Sequence, residues 1–312
     1  MVEFKNIAVV GVGGVGGFVG AMLAKYAQSK LQTQVYFIAR GEHLYRISNE
    51  GLTLHTKDNS FKVKPTQIFD SLLSLDKPDL VFICTKSYDI EGITNDLAKI
   101  SSEKTIVIPL LNGFDIYHRL KSKLPHQIIL PSCIYITGYI NFPGEVTIEG
   151  NGGKIVSGPD PDFNNLNYQP VSKLFAEANI HFKWVDNPFI EIWKKYIFVA
   201  SFALISAAFE KTFFEIVNNI EMMSYLKAII SEMLNIAKVD NITFTEDIYE
   251  WAVGLSSKMP HESIPSFYRD IKNGRKCERD IFIDSLIAKA KSNSISIPVI
   301  EKLSKIVEQK IN

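Results

Sequence analysis

"NIAVVGVGGVGGFVGAMLAKYA", residues Asn6 to Ala27, decides how the first half of the chain folds. A short apolar run at Ile7–Gly11 reads as a buried strand, and the pattern from Gly14 to Gln28 reads as a helix. Between them stands Gly11-x-Gly13-x-x-Gly16. Gly11 suits the tight turn, Gly13 lets a diphosphate approach the backbone, and Gly16 lets the helix pack closely on the strand. The unpaired N–H groups and positive dipole end of such a helix favour an anion. Gly11, Val12, Gly13, Gly14, Val15 and Gly16 are therefore the expected phosphate-binding loop of a dinucleotide site.

Further runs at Val35–Ala39, Leu80–Thr85 and Thr105–Leu110 also read as strands buried on both faces. Helical stretches at Tyr88–Ile100 and Phe114–Lys121 alternate with them. Such alternation predicts a Rossmann-like, doubly wound parallel sheet with right-handed crossovers. Gly51–Pro65 interrupts the rhythm as a polar hairpin, and a second hairpin is predicted over Glu145–Ser157, turning at "GNGG". After "HFKWVDNP" (His181–Pro188) long helical patterns take over at Ile190–Phe209, Asn219–Val239, Thr245–Leu255, Ser266–Ala290 and Val299–Lys310. The expectation is an α/β domain over residues 1–186 and an all-α domain over 187–312, with a cleft between them beyond the strands' carboxyl ends.

Bulk composition narrows the function. Lys plus Arg equals Asp plus Glu, at 34 each, so no global field draws the chain to nucleic acid or an anionic membrane. The three cysteines (Cys84, Cys133, Cys277) are an odd, scattered set that suits a reducing compartment. The start lacks a secretory signal pattern, and the apolar run Tyr196–Phe209 is short for a membrane span, so a soluble, cytoplasmic protein is expected. The six histidines form no metal-binding pattern, and no metal is expected.

The loops after the strands carry the specificity. Arg40 stands where an NAD site usually has a carboxylate, and a guanidinium can hold a 2′-phosphate, so NADPH is preferred over NADH despite Glu42 nearby. Lys86 follows the third of these strands, in "CTKSYD", and Asn112 follows the next, in "PLLNGFD". Lys86 would face the cofactor, and the Asn112 amide could bond both the nicotinamide ribose region and a substrate carbonyl. In "EIWKKYIFVASF" the adjacent Lys194 and Lys195 point about 100° apart, so one can line a cleft while the other is solvated. Ser266 and Glu278 are twelve residues apart, which on one unbroken helix is a similar face but roughly 18 Å of separation.

Taken together, the glycine loop, Arg40-Gly41, Gly51-Leu52, Thr85-Lys86, "LLNG", Trp193-Lys194-Lys195 and the Ser266…Asp270-Ile271…Gly274-Arg275…Glu278 series resemble the ketopantoate reductase (2-dehydropantoate 2-reductase) family, from "AVVGVGGVGG" to "ISIPVIEKLSKIV". The resemblance implies NADPH-dependent reduction of 2-dehydropantoate to pantoate in pantothenate biosynthesis. It implies that residues Gly11 to Gly16 hold the pyrophosphate, Arg40 the 2′-phosphate, that Lys86 helps bind NADPH and that Asn112 contacts cofactor and substrate. It makes Lys195 the proton donor, Ser266 a ligand of the substrate carboxylate, and Glu278 the acid beside cofactor and lysine. Hydride addition to C2 of a 2-keto acid leaves negative charge on oxygen, which a protonated lysine stabilises and neutralises. Burial disfavours that protonated form, and a nearby carboxylate restores it.

The chain departs from the family where asparagines are common four and eight residues after the lysine: Val199 and Ala203 stand there. Ser206 replaces a usual threonine, and Asp284 sits where glycine is common. These departures leave two alternatives, a reductase of a more apolar 2-keto acid and a catalytically idle NADPH-binding module. The long apolar helices would serve a homodimer interface as well as an intradomain core.

Overall fold

The computed structural model describes residues 4–30, 32–150, 152–163 and 166–311. It contains two compact units, Met1–Pro188 and Phe189–Asn312.

The first unit opens with β1 (Asn6–Val10), α1 (Gly14–Ala27), β2 (Gln34–Ile38) and α2 (Gly41–Glu50). Then come β3 (Leu52–His55), β4 (Ser60–Val63) and the short β5 (Gln67–Phe69). The alternation resumes with β6 (Leu80–Ile83), α3 (Ile90–Ile100), β7 (Ile106–Pro109), α4 (Ile116–Lys121) and β8 (Ile128–Ile129). These strands form a parallel sheet in the order β5-β2-β1-β6-β7-β8. The order reverses beside β1, which makes the sheet doubly wound with its switch point next to the glycine loop. Its central strands carry Ile7, Val9, Val35, Phe37, Leu80, Phe82 and Ile108 into the core at 7% exposure or less.

The remaining strands are β9 (Ser132–Tyr135), β10 (Gly138–Phe142), β11 (Glu145–Ile148), β12 (Lys154–Ser157) and, after α5 (Gln169–Glu177), β13 (His181–Trp184). The predicted hairpin at Gly51–Pro65 is present as the antiparallel pair β3–β4. The one predicted over Glu145–Ser157 is not. β11 pairs antiparallel with β10 and parallel with β3, whereas β12 pairs with β9 and β13 in a different sheet. The hairpin instead turns at Gly144, φ +86°, between β10 and β11. Of the expected "GNGG" turn, Asn151 lies outside the described residues.

The second unit is helical: α6 (Pro188–Phe209), α7 (Phe213–Val217), α8 (Ile220–Ala237), α9 (Ile248–Ser256), α10 (Ser266–Lys272), α11 (Ser285–Ser292) and α12 (Pro298–Glu308). The apolar run read as about 14 residues belongs to a 22-residue helix, long and apolar enough to cross a membrane, but 83% of its most apolar window is buried. That is how a core helix behaves. The helix expected over Ser266–Ala290 is broken. α10 stops at Gly274, φ +61°, where Arg275 N–H bonds the Asp270 carbonyl, and a π-helical turn at Asp280–Asp284 precedes α11. Glu232 on α8 caps α12, accepting the Val299 and Ile300 N–H groups at 2.9 Å each, and burial raises its carboxyl above the usual range.

Candidate active site

Parallel pairing brings the carboxyl ends of β2, β1, β6 and β7 to one edge of the sheet. The sequence-predicted residues Arg40, the glycine loop, Lys86 and Asn112 follow those ends in turn. Each glycine of the loop has its own surroundings. Gly11 has φ +86°, and a Cβ there would lie 2.6 Å from the Thr85 side chain. On Gly16 a Cβ would sit 1.9 Å from the Gly11 carbonyl oxygen, and on Gly14 2.2 Å from that of Gly138. Gly13 is different: a Cβ there would meet nothing within 4 Å. Gly13 also begins α1 with no side-chain cap, so the first N–H groups of the helix have no such acceptor. Beside Gly11, the Thr85 hydroxyl oxygen is buried with no hydrogen-bond partner among the described residues. An open glycine, an uncapped helix start and an orphaned donor suit the diphosphate of a dinucleotide.

Arg40 precedes α2 with its side chain 74% exposed, 3.5 Å from Asp89. Lys86 is half-buried just before a single 3₁₀ turn, Ser87–Asp89. Asn112 is half-buried next to Gly113, whose φ of +120° shapes the loop. Burial pushes the Cys84 thiol far above its ordinary range, so it is no thiolate nucleophile. Sequence reasoning passed over His43 on α2, whose ring lies 2.8 Å from the Val12 carbonyl oxygen and 3.0 Å from the Gly144 nitrogen. Among the described residues, His, Cys, Asp and Glu form no cluster able to hold a metal.

In the second unit the two adjacent lysines part company. Lys194 pairs with Glu246 at 2.5 Å and lies over the Trp251 ring at 4.3 Å. Lys195 is 8% exposed. Its turn of α6 is anchored on both sides. Trp193 donates its indole N–H to Asp240 at 3.1 Å, which also accepts from Lys289, and the Tyr196 hydroxyl donates to the Ile281 carbonyl in the π-turn. Glu278, 3% exposed, stands two residues before that π-turn. Ser266 is exposed at the first position of α10. With the end of α10 and Gly274 between them, Ser266 and Glu278 share no helix, which removes the common face expected from their spacing.

Residues 7–162 match the family described as ketopantoate reductase PanE/ApbA, and residues 190–311 match its C-terminal part. The chain belongs to the ketopantoate reductase family. A Bacillus subtilis (strain 168) member named uncharacterized oxidoreductase YkpB is 25% identical over 94% of each chain. A 2-dehydropantoate 2-reductase from Streptococcus pyogenes serotype M3 is 24% identical over 91% of this chain and 92% of the relative. The crystal structure of a PanE/ApbA family ketopantoate reductase from Ralstonia eutropha JMP134 shares the fold, with a TM-score of 0.87 at 23% identity over 98% of both chains. The protein is thus an oxidoreductase of this family.

Within that family the departures on α6 gain a geometry. Lys195, Val199, Ala203 and Ser206 follow one another at intervals of four, four and three, along one face of the helix. Ala203 and Ser206 are fully buried, and the Ser206 hydroxyl has no hydrogen-bond partner among the described residues. Asp284 is turned outward, half exposed, and pairs with Arg279 at 3.2 Å.

Proposed function

We propose that this protein is a cytoplasmic, NADPH-dependent 2-keto acid reductase that converts 2-dehydropantoate to pantoate. The observation that carries the reading is the divergence of two neighbouring lysines: Lys194 is neutralised by Glu246, while Lys195 is buried beside anchored Trp193 and Tyr196. A buried lysine on an anchored turn of helix suits proton delivery better than solubility.

The first unit would hold the dinucleotide, with its diphosphate at Gly13 and the start of α1, Thr85 and Lys86 beside it, Arg40 on the 2′-phosphate, and Asn112 at the nicotinamide end. When bound, the reduced nicotinamide supplies the hydride for C2 of the keto acid. Lys195 Nζ, as ammonium, hydrogen-bonds the keto oxygen, steadies the charge growing there and gives it a proton, yielding the hydroxy acid. Glu278 favours the charged lysine, and Ser266 binds the substrate carboxylate.

A second reading, reduction of a more apolar 2-keto acid, is favoured by Val199 and Ala203 on the face that carries Lys195, since neither can bond a substrate hydroxyl. NADPH oxidation measured with 2-dehydropantoate and with branched and aromatic 2-keto acids separates the two. Lys195→Ala should lower kcat by about 100-fold or more while leaving NADPH affinity intact. Full turnover in that variant overturns both readings, and NADPH binding without turnover of any keto acid supports an idle module.

A further inference from the structure

His43, third residue of α2, bridges two backbone segments far apart in sequence. Its Nε2 lies 2.8 Å from the Val12 carbonyl oxygen, and its Nδ1 is 3.0 Å from the Gly144 nitrogen. The partners dictate the state of the ring. A carbonyl oxygen can only accept, so Nε2 carries the hydrogen; an amide N–H can only donate, so Nδ1 presents its lone pair. The ring is neutral in the Nε2–H form.

The consequence falls on the Val12–Gly13 peptide. It is trans, so its C=O and N–H point in opposite directions. With the Val12 carbonyl bonded to His43, the Gly13 N–H is aimed away from the ring, and Gly13 is the loop residue with nothing within 4 Å of a Cβ. The hairpin that supplies Gly144 also meets the loop at Gly14, where a Cβ would strike the Gly138 oxygen at 2.2 Å. Loop and hairpin are seated together, and the His43 ring is bonded to both.

We propose that His43 is a positioning residue for dinucleotide binding: it holds the Val12–Gly13 peptide so that the Gly13 N–H faces the cofactor diphosphate, and it lets go when the ring gains a second proton. The inference rests on the reading of the glycine loop as a dinucleotide site. A second proton on Nδ1 would confront the Gly144 N–H donor to donor. Burial lowers the pKa of the ring from its ordinary value of 6.5, with the Val12 bond opposing in part. The charged groups around it have partners of their own. Arg46 pairs with Glu42 and Glu50, Arg40 with Asp89, and Glu145 on β11 with His55, while the loop itself carries no ionisable side chain. Binding is thus at full strength above about pH 6.5 and weakens as pH falls through the lowered value.

The test is calorimetric binding of NAD+ to the full chain at about pH 8 and about pH 5.5, because NAD+ lacks the 2′-phosphate, which itself titrates near about pH 6. Wild-type Kd should rise on acidification, approaching about fivefold as the ring takes up its second proton. His43→Gln keeps a donor for Val12 but does not titrate, so its Kd should stay flat; His43→Phe should bind about fivefold more weakly at both values. Imidazole ¹⁵N shifts of the wild-type protein at about pH 6.5 should report the neutral Nε2–H form, which needs no variant to fold. A wild-type pH slope shared by His43→Gln, or a doubly protonated His43 at that pH, overturns the proposal while leaving the dinucleotide site standing. Wild-type protein that binds neither NAD+ nor NADPH at about pH 8 overturns the site and His43's part in it together.

Discussion

The Tyr196 hydroxyl donates to the main-chain carbonyl of Ile281, joining the turn of α6 that bears Lys195 to the π-turn that follows Glu278. A π-turn breaks the regular ladder of the helix and leaves carbonyls that need other donors. Tyr196 is 1% exposed and Ile281 fully buried, so water cannot substitute. Tyr196→Phe should cost about 1–3 kcal/mol in denaturant unfolding. It should also lower kcat severalfold with dinucleotide affinity unchanged, because the relative placement of Lys195 and Glu278 loosens. Lost stability with unaltered kcat would mean that the bond only supports the fold.

Gly13 and Gly16 should answer alanine substitution in opposite ways. At Gly16 the new Cβ would lie 1.9 Å from a backbone oxygen, which cannot yield, so unfolding should show a loss of about 1–3 kcal/mol or more. Gly13 has φ −81° and open space, so Gly13→Ala should fold like wild type. Its dinucleotide affinity should drop about tenfold, since the methyl group occupies the path of the diphosphate. Unchanged dinucleotide binding by Gly13→Ala would move the diphosphate away from this loop.

The sequence made the four central strands of the parallel sheet legible because they are largely apolar and the glycine loop stands in the required strand-to-helix context, whereas the short edge strands β5 and β8 left no such run. Helix α2 was hidden. It is ten residues long, mostly polar, and buries only Ile47, so it offers no apolar run of the kind that marked the other elements. The false hairpin at Glu145–Ser157 arose from local reasoning: two short strands flank glycines, but β11 and β12 find distant partners in different sheets. The break after α10 did leave a signal in Asn273-Gly274, a dipeptide that favours a helix stop. At the site, spacing showed that Lys194 and Lys195 must diverge but not which one turns inward, since that depends on Glu246 and Trp251 some fifty residues on. His43 offered no sequence pattern, because both its partners are backbone atoms.

Asp160 should prove the most sensitive carboxylate in the first unit. It is fully buried and accepts from the Tyr117 hydroxyl at 2.8 Å, Lys121 at 3.0 Å, and the Ile129 and Asp162 N–H groups at 2.8 and 3.0 Å. Asp160→Asn would turn an amide N–H₂ toward these donors and strip Lys121 of its buried counter-charge, costing about 3 kcal/mol or more in urea unfolding. Asp162 also pairs with Lys121, at 3.3 Å, but is 60% exposed, so Asp162→Asn should change stability by less than about 1 kcal/mol. Equal effects of the two substitutions would show that burial is not what sets the value of this cluster.

Arg40 and Asp89 set up a competition that cofactor preference should report. The guanidinium is mostly exposed and spends part of its charge on Asp89 at 3.5 Å. A 2′-phosphate, with nearly two negative charges, would outbid one solvent-screened carboxylate for that fork of donors. Arg40→Ala should therefore weaken NADPH by about tenfold while leaving NADH nearly unchanged. Asp89→Asn should act in the other direction, tightening NADPH about two- to threefold at low salt, because Arg40 is released and a repelling charge is gone. Raising the salt should shrink the second effect, since both groups face solvent. Fluorescence titration of both cofactors against the three proteins measures all of this in one series; an equal loss of NADPH and NADH in Arg40→Ala would remove Arg40 from the phosphate and leave its bond to Asp89 as a surface contact.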